Sequence, residues 1–319
     1  MKGKRIILSI LALVVGLLSC ETPTETMTAN LALKAEATTG EGAIWHPGRQ
    51  TLFWVDIEGK TLYEYHTNGK APNTWRFDKM ITTVVPENNS TMIVALQNRV
   101  IRLNLNNSTH TTIVDIPDEA GNYRCNDGKC DPSGRLWIGT MGLKGQKESA
   151  TLYCLNQGEL VPKIKNVTIS NGIVWSSNKK YMYYNDTPTG KIARFRYNDT
   201  TGEILFDGIA VKLPEGTGAP DGMTIDKDDN LWVAQWGGYG VYCYNPYTGE
   251  LLKKIEVPAP NVASCAFGGE KLDTLYITTA RAGLSPEQLE KYPLSGSLFY
   301  CVPGTTGVRP NYFKNPDKQ

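Results

Sequence analysis

Asp221-Gly-Met-Thr-Ile225, then Asp226-Lys-Asp-Asp-Asn230, then Leu231-Trp-Val-Ala234 is the stretch that decides the fold. A polar residue and a glycine open a short apolar run. A cluster of Asp and Asn turns the chain, and an apolar-aromatic run follows. That order reads as strand, turn, strand. The same order recurs along the chain. Glu41-Gly42-Ala-Ile-Trp45 leads to Leu52-Phe-Trp-Val-Asp56, and Thr83-Val-Val85 leads to Met92-Ile-Val-Ala95. Asn126-Asp127-Gly128 leads through Asp131-Pro-Ser-Gly134 to Leu136-Trp-Ile-Gly139. Asn171-Gly172-Ile-Val-Trp175 leads to Met182-Tyr-Tyr184, and Ser264-Cys-Ala-Phe267 leads to Leu275-Tyr-Ile-Thr278. Successive copies start 42, 43, 45, 50 and 43 residues apart.

Several copies continue into a third strand that ends at a Gly turn, as in Lys60–Tyr65 before Asn68-Gly69. Three to four strands per forty-odd residues is the arithmetic of a propeller blade. Six units predict an all-β, six-bladed β-propeller with a central channel. One blade cannot bury both of its faces alone, so tandem independent domains are excluded. The alternating segment Leu31–Ala37 is expected to join the last blade and close the ring, removing an exposed sheet edge. A single helix is expected at Pro286–Tyr292, opened by Ser285-Pro286.

The chain has 319 residues, of which 40% are hydrophobic and 20% charged. That is globular composition and excludes disorder or coiled coil as the main theme. Lys2, Lys4 and Arg5 are the charges of the first twenty residues, so 30 of the 33 basic residues remain beyond them, against 32 acidic ones. No basic block or basic-aromatic stripe invites nucleic acid.

Those three charges precede an apolar run from Ile6 to Leu18, short for a bilayer span and suited to a secretory leader. It ends Leu17-Leu-Ser-Cys20, which resembles a bacterial lipobox. The resemblance implies cleavage before Cys20 and lipidation of its thiol. The expected organisation is a lipoprotein signal at 1–20, a flexible tether at 21–30 and one propeller at 31–319. The protein would then be a monomer in the bacterial cell envelope, touching membrane through its N-terminus. The other six cysteines lack zinc-site spacing. Most sit in apolar strand runs and read as small buried hydrophobes, with a Cys125–Cys130 link left open.

Equivalent positions of the innermost strands meet around a propeller's axis. In register, the residue before the first Gly position is Glu41, Thr83, Asn126, Asn171, Asp221 or Ser264. One Asn-Gly or Asp-Gly pair is an ordinary turn. An oxygen-bearing residue in every copy at one phase points to a shared site. Two carboxylates brought together repel unless a proton or cation lies between them. Oxygen ligands without Cys or His suit a hard divalent cation such as calcium or magnesium.

The ordered motifs resemble the regucalcin/gluconolactonase family (senescence marker protein-like). They are Gly40–Trp45, Arg124–Arg135, Gly139-Thr-Met141, Ser170–Ser176, Tyr183–Asp186, Pro220–Asp226, Leu231–Ala234 and Cys265–Gly269. The resemblance implies that Glu41, Asn171 and Asp221 hold one divalent cation, calcium first, with zinc, magnesium and manganese left open. It implies substrate contacts from Arg124 and Asn126, and hydrolysis of sugar lactones to aldonic acids with Asp221 assisting the attacking water. The loop after Met141, Gly142-Leu-Lys-Gly-Gln-Lys147, lacks the acidic residues some relatives carry there. Two other readings stay open: a calcium- or sugar-acid-binding propeller without turnover, and an esterase or lactonase for a non-sugar substrate. His46, His66 and His110 fall at turns and read as surface or turn residues. No Gly-x-Ser-x-Gly elbow is present. Trp45, Trp54, Trp137, Trp175 and Trp232 read as packing between blades.

Overall fold

A computed structural model describes residues 24–117 and 121–314. Cys20 and the leader lie outside the described residues. Six sheets are formed, four from consecutive strands alone and two with an N-terminal strand added at the outer edge. Blade one is Gly40–His46, Thr51–Asp56, Thr61–His66 and Asn73–Arg76. Blade three is Tyr123–Cys130, Leu136–Gly142, Ala150–Asn156 and Glu159–Val167. Blade four is Ser170–Trp175, Tyr181–Asp186, Lys191–Tyr197 and Ile204–Lys212. Blade two starts at Ile81–Pro86, blade five at Ala219–Ile225 and blade six at Asn261–Gly268. The six-bladed propeller read from the repeat is therefore the fold.

Inner strands are buried along nearly their whole length because both faces pack against neighbouring blades. This is why their sequences lack the clean alternation of half-exposed strands. Trp45, Trp54, Trp137 and Trp232 are fully buried, as expected of packing between blades. The ring closes through the first half of the anticipated Leu31–Ala37 segment, residues 34–37 lying beyond the strand. Asn30–Leu33 pairs antiparallel with Leu298–Cys301 as the outermost strand of blade six.

The expected tether is in part sheet. Glu25–Thr28 pairs in parallel with Leu251–Glu256 and becomes a fifth strand of blade five. Met27 packs against the core there, and Lys253 bonds Glu25 at 2.9 Å. The helix runs Pro286–Lys291. Ser285 accepts from the Gln288 amide, and the Gln288 side chain accepts from the Ser285 amide. This reciprocal bonding is a capping box.

The lower turns of blades three and five are built alike. Asp131 accepts from the amides of Ser133 and Arg135, from Arg135 Nε at 2.6 Å and from Trp137 Nε1 at 3.0 Å. Asp226 accepts from the amides of Asp228 and Asn230 and from Trp232 Nε1 at 3.1 Å. Asp-x-x-x-x-x-Trp is thus one buried acid fastening a turn to its next strand.

The C-terminal segment crosses the lower end of the channel. Gly307 N donates to Leu272 O, Asn311 Nδ2 to Cys130 O, Phe313 N to Pro86 O and Lys314 N to Gly134 O. This strap ties blades two, three and six together and caps a cavity of about 70 Å³.

All six described cysteines are buried and free, so the Cys125–Cys130 link is absent. Burial pushes the Cys125 thiol up to about 12, keeping it protonated and unreactive. His46 departs from its surface reading. It ends an inner strand, is fully buried, and its Nε2 lies 3.1 Å from Asn88 O. Its place is the lower end of blade one, away from the acidic residues above.

Candidate metal and active site

Every inner strand shifts register against its neighbour at the same level. The shift falls between Glu41 and Ile44, Ile81 and Thr83, and Cys125 and Gly128. In the other blades it falls between Ser170 and Ile173, Pro220 and Met223, and Val262 and Ser264. A bulge re-aims the side chain it carries. Asn126, Asn171 and Asp221 lie inside their bulges, while Glu41 stands immediately before its own. Gly42 there has φ +62°, which a glycine adopts without strain. A Cβ on Gly172 would lie 2.6 Å from Asp221 O, so only glycine lets blades four and five approach this closely.

The bulges deliver Glu41, Asn126, Asn171 and Asp221 to one cavity of about 290 Å³ at the upper end of the axis. Arg124 lines it too, so the five sequence-derived residues of the propeller meet in one place. Thr83 and Ser264 do not line it. Thr83 Oγ1 donates to Asn126 O at 2.6 Å, and Ser264 Oγ accepts from Ala43 N at 3.3 Å. These two short side chains peg one blade to the next, and the ring of six narrows to four.

A directed chain of bonds sets the amides. Arg124 Nη1 donates to Asn126 Oδ1 at 2.6 Å. Asn126 Nδ2 donates to Asn171 Oδ1 at 3.1 Å and to Ser170 O at 2.8 Å. Asn171 Nδ2 donates to Thr187 Oγ1, which donates to Pro220 O, each at 2.9 Å. Asn185 Nδ2 donates to Asp221 O at 2.9 Å and fixes the backbone of that bulge.

Glu41 and Asp221 line this cavity together, and the charge of Asp221 acts on the Glu41 carboxyl. Glu41 Oε2 also accepts from Gly42 N at 2.7 Å. Burial first, then the charges of Asp221 and Asp127, holds the Glu41 carboxyl well above the usual range. Burial and then Asp127 push Asp221 to about 8. Asp127 is buried below them and also raised by burial, with Lys129 opposing. Its Oδ1 accepts from Gly128 N at 2.7 Å, and its Oδ2 has no partner. Burial lowers Arg124, against the charges of Glu58 and Glu41.

Two buried, mutually repelling carboxylates with an amide oxygen beside them form a hard oxygen set. That set fits a divalent cation, which would remove the repulsion. Among the described residues no group of three or more His, Cys, Asp or Glu side chains is arranged as a metal site. The candidate set therefore depends on its amide as well as its acids.

Three participants were not singled out from the sequence. Glu58 lines the mouth and supplies an acid that the loop after Met141 does not. Thr187 ends the amide chain, and Asn185 braces Asp221. Glu58 and Thr187 lie outside the repeat phase. Asn185 stands in the Tyr183–Asp186 motif without a role that spacing could reveal.

An all-β ring of six blades with an acid- and amide-lined axial cavity defines the class: a six-bladed propeller with an axial oxygen-ligand site. The chain belongs to the SMP-30/Gluconolactonase/LRE-like family, whose model matches residues 39–281. It is 35% identical over 285 residues to "Putative sugar lactone lactonase YvrE" of Bacillus subtilis (strain 168), covering 89% of this chain and 98% of that one. It is 32% identical over 278 residues to regucalcin of Oryctolagus cuniculus, covering 85% and 93%. A calcium-binding regucalcin of Agrobacterium tumefaciens shares the fold at a TM-score of 0.87 and 23% identity, covering 91% and 99%.

Proposed function

We propose that the chain is a divalent-cation-dependent hydrolase that opens sugar lactones to aldonic acids. The carrying observation is the facing pair Glu41 and Asp221 in a cavity that Arg124 and Asn126 also line. The similarity to a protein named as a sugar lactone lactonase supports the substrate class. The cavity's size, near the roughly 300 Å³ lower end of ligand pockets, suits a monosaccharide ring.

Glu41, Asn171 and Asp221 would hold the cation, calcium first. When bound, it supplies Lewis-acid charge that polarises the lactone carbonyl and offsets the developing oxyanion. Asp221 takes the proton of the attacking water. The acyl–oxygen bond of the ring then breaks, and the ring oxygen leaves as a hydroxyl carrying that proton. Arg124 and Asn126 hold substrate hydroxyls or the new carboxylate, with Glu58 accepting from hydroxyls at the mouth. Ile57, Met141, Ile169 and Trp236 supply the apolar wall that limits water. We also propose that Cys20 is lipidated and holds the protein at the cell envelope.

The test is Asp221→Ala. It should abolish cation-dependent lactone hydrolysis while the far-ultraviolet spectrum and thermal transition remain those of a folded propeller. A variant that still hydrolyses lactones at the parental rate overturns the assignment.

A further inference from the structure

The upper turns of blades five and six each give one residue to the axial cavity, Trp236 and Ala282. Inner strands run down from the cavity and their antiparallel neighbours run back up to it. Trp236 ends the rising strand Leu231–Trp236, and Ala282 follows the rising strand Thr274–Ala280. The two turns are fastened to one another. Tyr239 N donates to Pro260 O at 3.1 Å, at the head of the inner strand of blade six. One residue on, Asn261 Nδ2 donates to Ala282 O at 2.9 Å. Ala282 N donates to Thr38 O at 2.8 Å, next to Thr39 of the cavity wall. Across the same seam the rings of Tyr239 and Tyr292 meet, with centroids 5.5 Å apart and planes at 58°.

Tyr239 is an unusual residue for its place. Its φ is +58°, a conformation that glycine adopts freely and an aromatic residue does not. Both of its neighbours, Gly238 and Gly240, are glycines. The surroundings hold it there. Tyr239 O accepts from Val257 N at 2.9 Å, and a Cβ on Gly238 would lie 2.5 Å from Thr217 O. The turn thus carries a ring where glycine would close the hairpin without strain. Tyr239 is 39% exposed, and Tyr292 is half-buried. Strain kept beside a binding cavity points to a ligand contact.

The cavity, at about 290 Å³, has room for one sugar ring. The bulges that carry Glu41, Asn171 and Asp221 lie below the turns that carry Trp236 and Ala282. With the lactone carbonyl at the bulges, the ring carbon opposite the carbonyl faces the mouth. A substituent on the oxygen of that carbon leaves the cavity and meets the rim. Tyr239 stands there, three residues beyond Trp236 in one short turn. The C–H face of a sugar is apolar and packs on an aromatic ring, while the tyrosine hydroxyl stays available at the edge.

We propose that the Tyr239–Tyr292 seam is a second carbohydrate subsite, and that the preferred substrate is a lactone bearing a further sugar on the oxygen opposite its carbonyl. This rests on the lactonase reading of the cavity. The lactone ring occupies the axial cavity and the second sugar lies on the two tyrosines. Lys291 Nζ, 5.2 Å from the Tyr292 ring centre, adds a donor beside them. The reaction is the one already described: water adds to the carbonyl, the acyl–oxygen bond of the ring breaks, and the bond between the sugars stays intact.

The test compares kcat/KM for cellobiono-δ-lactone and glucono-δ-lactone, with calcium present, by acid release. The parent should favour the disaccharide lactone by about 3- to 10-fold, the effect of one aromatic contact. Tyr239→Asn removes one ring with a residue that tolerates the left-handed backbone, and Tyr292→Ala removes the other. Each should bring the ratio of the two values close to one, through a higher KM for the disaccharide lactone. Tyrosines that merely tie the turns together would affect both substrates alike, so an unmoved ratio in both variants overturns the proposal. A parental ratio at or below one, with glucono-δ-lactone hydrolysed, refutes the subsite alone. Hydrolysis of neither lactone above background refutes the lactonase reading on which it rests.

Discussion

Asn126 donates its side-chain amide to the Oδ1 of Asn171 across the boundary of blades three and four, at 3.1 Å. Because Arg124 occupies Asn126 Oδ1, and Thr187 accepts from Asn171 Nδ2, neither amide can turn over without losing a bond. The oxygen of Asn171 is thereby fixed as an acceptor on the axis.

Asn126→Ala is expected to release that amide. Cation affinity should fall about 10- to 100-fold, the usual effect of removing a residue that orients a ligand. Stability should fall by about 1–3 kcal/mol, because buried acceptors lose their donor. Calcium titration calorimetry and urea unfolding check the two effects.

Asn185 should matter for turnover without touching substrate. Its Nδ2 holds Asp221 O at 2.9 Å. Asn185→Ala should lower kcat about tenfold with little change in KM, since the proton acceptor is displaced and binding contacts remain. A change confined to KM counts against this role.

The cation-free protein should lose stability as pH rises. Glu41 and Asp221 are raised in the folded state, Asp221 to about 8. A raised folded pKa contributes stability that is complete below the unfolded value of about 4 and lost as pH climbs through the folded value. Thermal unfolding with chelator should therefore show a falling Tm from pH 5 to pH 9. Saturating calcium should remove most of the slope, because the cation replaces the proton between the two acids. Glu41→Gln should flatten it without calcium.

The lower turns should behave as structure. Asp131 is fully buried and fastens Arg135 and Trp137. Asp131→Ala leaves the Arg135 guanidinium without its acid and should cost about 3–5 kcal/mol. At temperatures where the variant is folded, kcat/KM should stay near the parental value, which steady-state kinetics measures.

The fold was legible because a polar residue recurs at the bulge of every blade, and blades three and five add an acidic turn below. The repeat phase also gathered Glu41, Asn126, Asn171 and Asp221, which line one cavity. It gathered Thr83 and Ser264 with them, because a phase records position along a strand and not reach. Their short side chains stop at the next blade. Glu25–Thr28 read as tether since a parallel strand held by main-chain bonds and one half-buried Met27 leaves almost no compositional mark. His46 read as a turn residue from Pro47, yet its ring closes the lower end of blade one against Tyr312. Glu58 reaches the cavity from a turn outside the repeat, so spacing could not include it.

The central claim is that Glu41, Asn171 and Asp221 hold a divalent cation needed for lactone opening. The direct measurement is acid release from glucono-lactone, followed by pH indicator, before and after chelation and after calcium is restored. The rate above the uncatalysed background should vanish on chelation and return with calcium. Undiminished hydrolysis in chelator contradicts the claim, as does a rate no faster than background with calcium present.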